Sequence, residues 1–440
     1  MTRNILERTI VQRLVVLMVI GFIVRLGLAI FLGLDKPPED GSDQQEYDMC
    51  AWNVAQGQGY RGPSPDVSDR NHLTAYRLPA ISLAWAGVYR VVGHRYDAIR
   101  ILHCLASAAT IGLTFLLGYR LYGPFVGWIA AFIYTFFPSV LLYSSDLLSE
   151  PLSTFVFVAY LLACVDFAES PSWGRAIWVG LLMGLGLLCR ASMLFMIPLT
   201  FIWGGWILRA DRKALAYLFI MPVVTGLVLL PWIGRNYFVF GKFIPFSTMG
   251  GSVLLQGNNR IVATDPELYG SSVWDTKIPE YRDAIMAPND EYERDAVAGR
   301  LGQQWIRENP GLWLSMLPKK FVRAWTPFLQ PHTKRLYRLG TLLSWGPILV
   351  LFTLAFIPTL VHSLRQGDSA WLLHLGIFHF VMISLIFFGL ARYRHPIEPL
   401  CIILAAVSLQ YLWIKILSQG SNRSLRTIVQ LTSKSGADAP

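Results

Sequence analysis

At 440 residues, 54% hydrophobic and only 15% charged, the chain falls well below the roughly one-quarter charged residues of soluble domains, which excludes an ordinary soluble globular protein. Its net charge of +10 comes from Lys and Arg scattered in ones and twos between apolar runs, so nucleic acid is excluded as a partner and the positive loops of a multi-pass membrane protein are favoured. The cysteines Cys50, Cys104, Cys164, Cys189 and Cys401 show no C-x-x-C or Cys/His ligand spacing, which argues against a disulfide framework or a zinc site.

The N-terminal residues 1–13 are charged, and the apolar run behind them is longer than a signal-peptide core and lacks a small-residue cleavage site. It is therefore expected to stay as an anchor. Apolar segments near residues 14–34, 98–119, 124–143, 149–167, 174–190, 192–208, 214–233, 338–362, 370–391 and 397–416 approach the length needed to cross a bilayer. The expected fold is an all-α integral membrane bundle of about ten spans. Arg190 divides the fifth from the sixth. With Arg3, Arg8 and Arg13 inside, alternation also puts Arg120, Arg175, Arg209, Arg212, Lys213, Arg365, Lys415, Arg423 and Arg426 inside. The polar segments 35–97 and 234–337 then face outward, with the turn Asp146–Glu150 and the tripeptide Arg392, Tyr393, Arg394. The chain reads as an N-terminal membrane module over 1–233, an outer segment over 234–337, C-terminal spans over 338–417 and a disordered inner tail over 418–440.

Within the first outer segment, Gln44 to Gln56 lacks Gly and Pro and puts Tyr47, Cys50, Ala51, Val54 and Ala55 at helical spacing, which predicts an amphipathic helix on the membrane surface. Gly57 and Gly59 end it. Leu78 to Val92 predicts a second, partly embedded helix. The second outer segment opens on PWIGRNYFVFGKFIPFSTMGGSVLLQGNN, read as turns because of its Gly and Asn content, and becomes helical from Asp290 to Asn309 and from Leu312 to Phe321.

Several polar clusters bear on chemistry. Asp43 is placed to act as a general base at the water interface, with Tyr47 one helical turn on, and the competing reading is that Ser42 or Asp43 merely caps the helix. Arg77 in TAYRLPA, beside Tyr76, suits bidentate contact with phosphate, or snorkels towards lipid headgroups. In SSDLLSEPL, Asp146 and Glu150 open the fourth span, where they also favour the helix dipole. Arg392, Arg394 and His395 crowd cations onto an outer turn against the positive-inside trend, which points to an anionic ligand. Arg25 and Arg190 lie in or beside apolar runs, either as donor contacts or paired with acids to hold helices. His72, His94 and His332 have no ligand spacing, and no metal is assigned.

The motifs SDQQEYDMCAWNVAQGQGY, TAYRLPA, AIRILHCLASAATIGLTFLLGYRLYG, DLLSEPL, GLLCR, PWIGRNYFVFGKFIPFSTMGG and RYRHPIEP, in that order, resemble the membrane-embedded GT-C glycosyltransferases of the dolichyl-phosphate-mannose protein mannosyltransferase and aminoarabinose transferase type. The resemblance covers nearly the whole chain. It implies transfer of a sugar from a polyprenyl-phosphate donor to a glycan, lipid or protein acceptor at the outer face of the inner membrane, with inversion and without a cofactor. Asp43 matches the catalytic acidic position, Arg77 the basic position for donor phosphate, the Arg392/Arg394 pair an assisting position, and Glu150 an acid that orients substrate. Beside these positions, Tyr47, Tyr76 and Arg190 are read from their own placement as further substrate contacts. One departure stands out: Gln44 follows Asp43 where the protein mannosyltransferases carry Glu, so Glu46 competes for the catalytic role. A lipid or sugar transporter is the rival class, although no inverted repeat is visible, and an O-antigen polymerase or ligase is the rival enzyme.

Overall fold

The computed structural model describes residues 2–63, 71–327 and 335–420. In chain order its helices are α1 (Thr2–Gly33), α2 (Asp43–Ala55), α3 (Pro79–Val92), α4 (Tyr96–Tyr122), α5 (Pro124–Phe136), α6 (Pro138–Ser144), α7 (Glu150–Glu169) and α8 (Trp173–Cys189). A 3-10 turn over Ala191–Phe195 leads into α9 (Met196–Ile207), α10 (Arg212–Leu218) and α11 (Ile220–Phe240). The second outer segment holds α12 (Gly250–Gly257), α13 (Arg260–Thr264), α14 (Pro279–Met286), α15 (Glu291–Glu308) and α16 (Pro310–Trp325). The chain then re-enters the bundle as α17 (Arg335–Gln366) and α18 (Trp371–Ile386), turns through a 3-10 segment over Ala391–Ile397 and ends with α19 (Glu398–Gly420). A two-residue antiparallel pair joins β1 (Arg61–Gly62) to β2 (His72–Leu73). His332 and the chain beyond residue 420 lie outside the described residues.

Among the described residues six stretches are long and apolar enough to span a bilayer by themselves, and α5 with α6 makes a seventh across a 55° bend. The bend falls at Phe137, whose extended backbone is what a following proline imposes. The remaining three predicted segments are shorter apolar helices, Trp173–Cys189, Ala191–Ile207 and Trp371–Ile386. Each expected segment thus sits on an apolar helix, and among the described residues six or seven have the length of a full span.

The core is built from α4, α5, α7, α8 and α17–α19, with aliphatic and aromatic side chains meeting along their shared faces. Close approach depends on small residues, as is usual where no water drives helices together. A Cβ at Gly180 of α8 would lie 2.7 Å from the Met221 carbonyl of α11, and one at Gly184 would lie 2.6 Å from Val228 Cβ. Arg25 is wholly buried in this framework, and it is a staple. Its guanidinium donates to Ser107 Oγ (2.7 Å) and to the carbonyls of Gly21 (2.9 Å), Thr135 (3.1 Å) and Tyr134 (3.2 Å), joining α1, α4 and α5.

One expectation fails. The stretch from Pro231 continues α11 to Phe240 instead of turning, because a single proline removes one hydrogen bond while neighbouring packing holds the helix, and the stop comes at Gly241, left-handed at φ 63°. Farther on, GGSVLLQG is also helical, as α12. A second apolar cluster of Tyr47, Ala51, Trp85, Tyr89, Ile99, Leu147 and Cys189 seats α2 and α3 over the ends of α4, α7 and α8. That packing brings the first outer segment over one end of the bundle.

Candidate active site

Capping decides how Asp43 is used. Ser42 is extended and its hydroxyl accepts from the Gln45 N–H, so Ser42 takes the N-cap and Asp43 becomes the first residue of α2 with its carboxylate directed elsewhere. Arg77 lies just before α3, which begins with Pro79 after an extended Leu78. Its guanidinium reaches Asp43 Oδ1 through Nη2 (2.5 Å) and Glu46 Oε2 through Nε (2.5 Å). Tyr47 and Tyr76 flank the same guanidinium, each with a ring centroid 5.3 Å from its carbon.

Two more arginines arrive from remote parts of the chain. Arg392 donates from Nη1 to Asp43 Oδ2 (2.8 Å) and from Nε to Glu150 Oε1 (2.6 Å). Arg190, extended at the end of α8, donates from Nη2 to Glu150 Oε1 (2.8 Å) and Ser149 Oγ (3.2 Å). Glu46, Arg77, Asp43, Arg392, Glu150 and Arg190 therefore form one chain in which acid and base alternate. Its formal charges cancel.

Exposure separates the carboxylates. The Asp43 side chain is 29% exposed and that of Arg392 27%, whereas Glu46 is 7% exposed and Glu150 is sealed at 0%. The two central members are the most open, and Arg190 at one end is 19% exposed. Burial pushes Asp43 upward, but Arg77 and Arg392 outweigh it and hold the carboxyl below its usual range. For Glu46 burial prevails over the single Arg77, and its carboxyl titrates above the usual range. Nearby Asp146, at the turn before α7, is raised by burial to about 6, with Arg100 opposing the shift.

Arg394 does not join this chain. It is buried, stacks on Trp345 (3.8 Å to the ring centroid), pairs with Glu398 (3.4 Å) and donates to the Ala324 carbonyl (3.1 Å). In a 3-10 turn successive residues are separated by about 120°, so positions 392 and 394 point to different sides. His395 bonds Thr154 Oγ1 through Nδ1 (2.9 Å) and meets the Tyr143 ring. Its Nε2 and Arg190 Nε are buried with no hydrogen-bond partner among the described residues. His72 and His94 bond Glu291 and Asp48, and among the described residues no set of His, Cys, Asp and Glu converges as metal ligands.

The model of the family described as dolichyl-phosphate-mannose-protein mannosyltransferase matches residues 77–233, less than half of the chain but including Arg77, Glu150 and Arg190. No curated protein matches the chain in sequence. Among solved structures, the archaeal oligosaccharyltransferase AglB from Archaeoglobus fulgidus, in complex with an inhibitory peptide and a dolichol-phosphate, aligns at a TM-score of 0.55 with 14% identity over 93% of this chain and 52% of its own. The same enzyme in complex with Zn and sulfate aligns at 0.57 with 14% identity, over 91% of this chain and 49% of its own. ArnT from Cupriavidus metallidurans bound to undecaprenyl phosphate aligns at 0.40 with 16% identity, over 89% of this chain and 77% of its own. The chain spans about half the length of the oligosaccharyltransferase it matches, and at this identity the likeness is one of fold. That fold is the membrane-embedded GT-C fold, as the order of the chain's own motifs implied.

Proposed function

We propose that this chain is a glycosyltransferase that moves a sugar from a polyprenyl-phosphate donor to an acceptor at the outer face of the cell membrane. The observation that carries this reading is the alternating charge chain with its accessible middle, Asp43 and Arg392. A phosphate oxygen can replace Asp43 as the partner of Arg77 and Arg392, since guanidiniums bind carboxylate and phosphate by the same planar fork. Support for such a donor comes from the mannosyltransferase family model over the segment that holds Arg77. The outward orientation rests on the Lys and Arg of the short loops.

The chemistry that this reading requires is an inverting displacement. An acceptor hydroxyl beside Asp43 attacks the anomeric carbon from the face opposite the phosphate and gives its proton to the carboxylate. The bond from that carbon to the phosphate oxygen breaks, and the phosphate leaves with the electron pair into the field of Arg77 and Arg392. Configuration inverts. Held by two arginines, Asp43 is a weak base at rest, and a bound donor that draws those guanidiniums away restores its basicity. Glu150 is sealed from substrate and serves to orient Arg392 and Arg190. Glu46 does the same for Arg77.

Mass spectrometry of lipids and surface glycans from cells lacking the protein tests this reading. One polyprenyl-phosphate sugar should accumulate while one glycan loses that sugar. Loss of the same glycan sugar with the donor lipid confined to the inner leaflet would indicate a transporter instead.

A further inference from the structure

Arg77 is carried by irregular chain, residues 74–78, between β2 and α3. Backbone of this kind has no ladder to satisfy it, so its polar groups must find partners elsewhere. They do so across long separations. The Thr74 N–H donates to the Tyr60 carbonyl (3.2 Å), and Arg235 of α11 donates to the Thr74 carbonyl (2.8 Å) and to that of Tyr60 (2.8 Å). The Ala75 carbonyl accepts from the Thr248 N–H (3.1 Å), and the Tyr60 hydroxyl donates to the Arg77 carbonyl (3.1 Å).

Glu291, the first residue of α15 in the second outer segment, gathers the remaining donors. Its Oε1 accepts from the Ala75 N–H (2.5 Å) and Thr248 Oγ (3.0 Å), and its Oε2 accepts from Thr74 Oγ (2.7 Å) and lies 3.0 Å from His72 Nε2. An ionised carboxylate offers about four acceptor sites, and each oxygen here has two partners. The Glu291 side chain is 3% exposed, so it is closed to substrate. It does not touch Arg77. It fixes the backbone two residues upstream, and the Thr74 hydroxyl that it holds accepts in turn from the Tyr76 N–H (2.9 Å).

Resting on the donor-site reading above, we propose that Glu291 is a positioning residue for Arg77, through which the second outer segment sets where the donor phosphate is held. The clamp gives α15 a functional role that its distance along the chain conceals. An amide at this position presents N–H groups to donors that need an acceptor, so the segment must shift to relieve them. A guanidinium displaced in this way loses phosphate contact without losing its charge.

The test is a double-mutant cycle on the purified full-length chain in nanodiscs, read as binding of undecaprenyl phosphate. Glu291→Gln is expected to weaken binding about tenfold, and Arg77→Ala by at least as much. In the Arg77→Ala background, Glu291→Gln should add less than about twofold. Thr248→Val removes one contact of the clamp, and it should repeat this pattern at smaller size if Glu291→Gln does not fold. Equal factors with and without Arg77 overturn the proposal and reduce Glu291 to a folding staple. If Arg77→Ala binds like the wild type, the donor-site reading fails first and the positioning role with it.

Discussion

Arg392 and Arg394 stand two residues apart and are used in opposite ways. Arg394 is closed in on every side by Trp345, Glu398 and a carbonyl, much as Arg25 is closed in by a hydroxyl and three carbonyls. Arg392 instead shares two carboxylates at the mouth of the bundle and keeps part of its surface open. Partners of the first kind are part of the packing and cannot leave without exposing a buried charge. Partners of the second kind can be exchanged for a ligand's oxygens. A buried arginine in a membrane protein is therefore informative only once its partners are known.

Separating the two arginines by mutation should sharpen that contrast. Arg392→Leu is expected to lower sugar transfer about a hundredfold, as for loss of one transition-state donor, with a smaller loss of stability than Arg394→Leu causes because Arg190 still pairs with the buried Glu150. Arg394→Leu should do the reverse. It removes the charged partner of Glu398, which is 2% exposed and then keeps the Ser139 hydroxyl (2.6 Å) from its side-chain contacts, and should cost about 3 kcal/mol of stability while the folded fraction keeps its transfer rate. Transfer assays alongside thermal melts in detergent distinguish the two, and a large rate loss in folded Arg394→Leu would erase the distinction.

A smaller effect concerns pH. Asp146 titrates at about 6 when folded, above the usual carboxylate, so the folded state carries a penalty above that pH which disappears as the group protonates. Melting temperature should rise on acidification from pH 7 towards 5, and Asp146→Asn should flatten that rise. Asp43 has the opposite sign. Its lowered value contributes stability that is present above the unfolded pKa and is lost only as pH falls through the folded one, below the window in which Asp146 acts.

The outline of the molecule was legible because its signals are local. Apolar length marked every helix of the bundle, and the lack of Gly and Pro after Asp43 marked α2. Residues that need a distant partner were harder. Ser42 and Asp43 are both good caps, and only the turn geometry shows that Ser42 takes the role and releases Asp43. The pairing of Arg392 with Arg394 failed as a unit because it assumed one shared face, which the 3-10 turn denies. Pro231 with its neighbouring Gly and Asn read as a turn, yet side-chain anchors such as Trp232 and Asn236, each bonded to a loop carbonyl, keep α11 in place. Glu291 left no trace in the sequence, for nothing local links it to a segment more than two hundred residues earlier.

The central claim is that Asp43, and not Glu46 or Glu150, meets the acceptor. It is tested most directly by sugar transfer in membranes supplied with the accumulated donor lipid, comparing Asp43→Asn with Glu46→Gln. Asp43→Asn should lose about a thousandfold or more in rate while remaining folded, and Glu46→Gln should retain measurable transfer. Full activity in Asp43→Asn, or complete loss confined to Glu46→Gln, would contradict it.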